Sequence, residues 1–84
     1  MGQRPRPKPK HLAAKLFAIR KRLKLSQSEM ADLLDCQLTS ARVSEYESGI
    51  REPNLLVLLA YARTAKIPVE RIIDDDLDLA PRRN

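Results

Sequence analysis

The 84 residues include no tryptophan, one phenylalanine, two tyrosines, two glycines, one histidine and one cysteine. With aromatics at 4%, a core of leucine, isoleucine and valine is expected. A single cysteine excludes an internal disulfide and fits a reducing, cytoplasmic setting. No run of eighteen apolar residues occurs, so no membrane span is expected. The basic, proline-rich start has no apolar stretch and does not read as a secretory signal. At this length one domain is the upper bound, with a core made from the inner faces of a few helices.

What is present is charge, and it is unevenly spread. The net charge is +5, yet residues 1–24 hold nine Lys or Arg and no acid. The remaining sixty carry seven basic and eleven acidic groups, a net of −4. A basic block of this kind favours a polyanion as partner.

Residues 1–10, MGQRPRPKPK, place Pro5, Pro7 and Pro9 between basic residues. Proline at every second position blocks a helix, so an extended, disordered arm is expected. A first helix is predicted from about His11 to Lys24, with Leu12, Leu16, Ile19 and Leu23 on one face. Lys15, Lys21, Arg22 and Lys24 are expected mostly off that stripe. Ser26 and Glu29 form an S-x-x-E capping box that opens a second helix, whose apolar face is read as Met30, Leu33 and Leu34 beside the small Ala31.

Asp35 to Leu38 reads as a turn. Thr39 or Ser40 then caps a third helix, with Val43, Tyr46 and Ile50 inward and Gly49 as a left-handed C-cap. Ser40, Ala41, Arg42, Ser44, Glu45 and Ser48 would face outward. Asn54 is read as the cap of a fourth helix with Leu55, Leu58, Leu59 and Ala62 inside, ending near Ile67-Pro68. A short fifth helix, Val69 to Ile73, supplies Val69, Ile72 and Ile73. The tail that follows has too few apolar residues to add structure alone. Three segments result: an arm over 1–10, a folded unit over 11–74 and an acidic, then basic, tail over 75–84.

SQSEMADLL, VSEYESG, REPNLLVLLAYA and IPVERII resemble, in this order, the helix-turn-helix family of Cro/CI-type (xenobiotic-response-element) DNA-binding proteins. The resemblance covers Leu12 to Ile73. It implies an all-α, compact five-helix bundle of the lambda-repressor-like type, working as a homodimer on a roughly palindromic operator. By the same resemblance Gln27 contacts the DNA backbone, and Ser40, Ala41, Arg42 and Glu45 lie on the exposed side of the recognition helix. Ser48 and Arg51 match its phosphate-contacting end, and Arg20 with Glu47 match a partly buried ion pair. One departure stands out. The Leu34–Val43 connection is two residues longer than the family's usual spacing, with Asp35 where glycine is common, which puts Gln37 to Arg42 in an altered position.

The chemistry of these residues suits the implied task. A major groove admits one helix, and the planar fork of Arg42 can donate two bonds to guanine; a phosphate or solvent contact is the plainer alternative. Ser40 and Ser44 are short enough to meet a base or a phosphate. Glu45 would repel phosphate unless it faced a cytosine amine or paired with Arg42 or Arg51. Arg4, Arg6 and Lys8 in the arm could follow phosphates or enter a minor groove, or merely aid solubility.

Cys36 reads as a small buried residue rather than a redox sensor. His11 has no ligand partner nearby. Asp74, Asp76 and Asp78 open like a calcium loop but lack its glycine and glutamate. Neither an enzyme nor a cofactor is expected. The expected partners are double-stranded DNA and a second copy of the chain, joined through the last helices or the acidic tail. Competing readings are an antitoxin or restriction-modification controller repressing its own operon, or an adaptor for a protein such as a toxin or polymerase.

Overall fold

The computed structural model describes residues 9–35 and 37–79. Within them lie five helices: α1 Leu12–Leu23, α2 Gln27–Leu34, α3 Ser40–Ser48, α4 Leu55–Ala65 and α5 Val69–Ile73. The expected arm residues before Pro9, Cys36 and the tail beyond Leu79 lie outside the described residues.

Local chemistry explains where the helices start. A helix leaves its first N–H groups without partners, and a side-chain oxygen just before it can take one. Ser26 accepts from the Glu29 N–H at 3.0 Å, and the Glu29 carboxylate accepts from the Ser26 N–H at 2.8 Å. Thr39, not Ser40, caps α3 by accepting from Arg42 N–H at 3.1 Å. Asn54 caps α4 through Val57 N–H at 2.9 Å. The ends are equally local: Lys24, Asp35, Gly49 and Lys66 all take left-handed backbone conformations just after their helices. Gly49, at φ 82°, tolerates this conformation best.

α1 has no cap of its own, and the fold supplies one from far along the chain. The Asp75 carboxylate accepts N–H bonds from Lys10 at 2.8 Å and His11 at 3.1 Å. These two bonds hold Asp75 below the usual carboxylate range, even though it is exposed.

The core joins Leu12, Leu16 and Ile19 of α1 to Met30, Ala31 and Leu34 of α2, Val43 and Tyr46 of α3, and Ile72 of α5. α4 enters it through Val57, Leu58, Tyr61 and Ala62. Several expected inward residues face out instead. Leu33 is half exposed, and Ile50 and Leu55 are 77% and 81% exposed. Leu59 and Ile73 lie at the margin. Apart from Arg63 and Thr64, α4 (LLVLLAYARTA) is apolar all round, so its pattern does not choose a buried side. Packing on α1 and α2 chooses it.

Lys15 departs from expectation in the opposite sense. It sits within the buried stripe, and its ammonium donates to the carbonyls of Arg71 (2.9 Å), Asp74 (2.8 Å) and Leu77 (2.7 Å). A buried ammonium needs such partners, since three donors left unmet would cost more than the burial returns. The segment after α5 is thereby drawn onto α1, and Leu79 becomes buried. The tail as far as Leu79 is therefore held against the bundle, not by its own apolar residues alone but by Lys15. Its few apolar residues suffice because a buried cation binds its backbone.

Candidate nucleic-acid interface

α2 and α3 pack on each other, joined by residues 35–39. Among its described residues this connection contains two in the left-handed region, Asp35 at φ 52° and Gln37 at φ 57°. Asp tolerates that region better than most side chains, which lets α2 end without glycine. The second reversal at Gln37 was not legible from residue type, because glutamine has no special preference for it. Gln37 itself is exposed in this turn.

Along α3, Ser40, Ala41, Ser44 and Ser48 are exposed, while Arg42 and Glu45 are partly covered. The spacing of one, three and four residues makes this one continuous side of the helix. All four exposed side chains are short, so the helix could approach another surface closely. The Ser48 hydroxyl donates to the Glu45 carbonyl at 3.2 Å, which ties it to its own helix.

Glu45 is engaged by both neighbouring arginines. Its Oε1 lies 3.1 Å from Arg42 Nε and 3.0 Å from Arg51 Nε. The three side chains together keep one positive charge, and the carboxylate is neutralised rather than aimed outward. Both arginines keep terminal nitrogens that these contacts do not use.

Behind this face sits the ion pair of Arg20 and Glu47. Arg20 Nε donates to Glu47 Oε2 at 2.7 Å, and its second terminal nitrogen donates to Oε1 at 3.0 Å. Arg20 also donates to the Leu25 carbonyl at 2.9 Å. Only 13% of the Arg20 side chain and 6% of the Glu47 side chain are exposed. The hydrogen bond to Glu47 raises the Arg20 guanidinium above its ordinary value, against the opposing effect of burial. Gln27 joins the pair by donating to Glu47 Oε1 at 3.2 Å. The first residue of α2 is thus fixed against α3, and the N–H groups of Gln27 and Ser28 stay free of the Ser26 cap.

At the other end of α3, Pro9 and Lys10 line a cleft of about 240 Å³ with Gly49, Arg51 and Pro53. The root of the arm therefore lies beside the loop that carries Arg51. Arg4, Arg6 and Lys8 lie outside the described residues. The arm root, Lys15 and Asp75 were not singled out as a group by sequence reasoning. Lys15 left one usable signal: it stands three residues after Leu12 and one before Leu16, inside the apolar stripe.

Among the described residues no three His, Cys, Asp or Glu side chains group to hold a metal ion. Nor is any described helix long and apolar enough to cross a membrane.

A family profile described as helix-turn-helix matches residues 16–72. No curated protein sequence matches the chain. Its fold is similar to the crystal structure of the P22 c2 repressor protein in complex with synthetic operator 9T in the presence of Tl+. The TM-score is 0.69 at 23% sequence identity, covering 77% of this chain and 96% of that one. At that identity the likeness is one of fold.

Proposed function

Since the chain belongs to the Cro/CI-type helix-turn-helix family, we propose that it is a transcriptional repressor that binds double-stranded DNA as a homodimer. In this reading α3 enters a major groove with Ser40, Ala41, Arg42 and Ser44 toward the bases. Gln27 and the free N–H groups at the start of α2 meet a backbone phosphate. Arg51 and the arm residues Arg4, Arg6 and Lys8 meet phosphates at the other end. Gln37 and Ser48 border the surface, and Glu45 orients the two arginines.

One observation carries the proposal. The most exposed side chains of α3 are all short, and the longer Arg42 and Glu45 beside them are paired, so the face's single carboxylate is already neutralised. A phosphate-lined groove would accept such a face, because nothing bulky or negative stands in the way. Two copies would engage half-sites about 34–36 Å apart, and repression would follow from occupying a promoter.

Footprinting on the DNA upstream of its own gene tests this. A palindromic protected site, bound far more tightly than random DNA at physiological salt, is the expected result. Weak, sequence-indifferent binding that salt abolishes would point instead to an adaptor for another protein.

A further inference from the structure

The outward side of α4 is not explained by DNA binding. Leu55 and Leu56 are 81% and 72% exposed, and Leu59 lies at the margin of exposure. Leu56, Leu59, Ala60 and Arg63 follow one another at helical spacing, so they form a single strip. The strip borders a shallow groove closed on its far side by Asp35, the residue that ends α2. A helix apolar on both sides ordinarily has something packed on both sides.

The charges bordering the groove indicate what covers it. Asp35 is its acid and Arg63 its base, and among the described residues neither side chain has an ion-pair partner. A two-fold interface brings the same patch together twice, so that residue i meets j and j meets i. A patch with an apolar middle, one acid and one base is complementary to itself under that operation. We infer that this face is where a second copy of the chain docks, Leu56 and Leu59 stacking on their counterparts while Asp35 meets the partner's Arg63 in both directions. Ala60 and Thr64, both small, allow the two α4 helices to approach closely. This deepens the dimer assumed in the regulator reading, but it is tested without DNA, so the two can fail separately.

The experiment is sedimentation velocity on the full chain in the absence of DNA, over a range of concentrations. The wild-type chain is expected to dimerise. Leu56→Glu and Arg63→Glu are each expected to weaken the dimer at least ~10-fold, because burying an unpaired charge or opposing like charges disfavours association. Both positions are exposed, and circular dichroism should show an unchanged fold. Asp35→Lys should also be monomeric alone, yet an equimolar mixture of Asp35→Lys and Arg63→Glu chains should form a heterodimer. If Asp35→Lys disturbs its left-handed turn, the Leu56 and Arg63 variants still decide the matter. A wild-type chain that stays monomeric at all concentrations overturns the inference. So does a dimer left intact by both Leu56→Glu and Arg63→Glu.

Discussion

Arg20 and Glu47 stand 27 residues apart and meet as a two-pronged pair, with nitrogen–oxygen distances of 2.7 and 3.0 Å. The same carboxylate takes a third bond from Gln27. One buried acid therefore fixes α1, the start of α2 and α3 relative to each other. The spacing of the two helices that would face DNA depends on it.

Replacing Glu47 by glutamine should lower folding stability by about 3 kcal/mol, because a largely buried guanidinium loses its counter-charge. Urea unfolding measures the loss. Arg20→Lys should recover only part of the wild-type stability, since an ammonium cannot make the fork. A loss well below about 1 kcal/mol would mean that the pair behaves like an exposed one.

Lys15→Met should keep the packing of the stem and remove three bonds to carbonyls. The expected cost is about 2 kcal/mol, the scale of charged hydrogen bonds lost from a covered site. Amide exchange should quicken most in α5 and the segment after it. Equal quickening in α2 and α3 would show that Lys15 supports the whole core rather than this clasp.

Asp75 gives a pH signature. Its two backbone bonds lower its folded-state value, so its contribution is fully present above the ordinary carboxylate range. That contribution disappears as the pH falls through the lowered value. The melting temperature of the wild type should exceed that of Asp75→Ala at pH 7, and the gap should close in acid. A gap independent of pH would remove the carboxylate from the cap.

Tyr61 is wholly buried, and its hydroxyl has no hydrogen-bond partner among the described residues. Burial, and secondarily the Glu47 carboxylate, push the phenol well above its ordinary value. Tyr61→Phe should stabilise the fold by about 1 kcal/mol, because an unmet buried hydroxyl is a net penalty. A fall in stability on denaturant unfolding would reveal a partner for the hydroxyl.

Arg42 and Arg51 share Glu45 but should differ on DNA. Arg42→Ala should relax preference at one base pair by about 1–3 kcal/mol. Arg51→Ala should weaken all sequences alike and reduce the salt slope by about one phosphate. Binding isotherms on matched and mutated sites, at several salt concentrations, separate the two. The reverse pattern would exchange their roles.

Much of this was legible from residue order alone. The capping box at Ser26 and Glu29, the cap at Asn54, the glycine after α3 and the limits of α5 depend on contacts within four residues. Such contacts form wherever those residues stand, so the sequence determined the five helices and most of their ends, the start of α1 excepted. It also supplied Arg42, Arg51 and the short side chains of α3, and offered the pairing of Glu45 with either arginine as one alternative; the fold pairs it with both. Tertiary packing decided which side of α4 lies inside, because a helix apolar all round has no preferred side of its own. It decided, too, that Lys15 is buried and that Asp75 caps α1, since all of these bonds join residues more than fifty positions apart. Local pattern carries no record of such partners; only the folded chain brings them together.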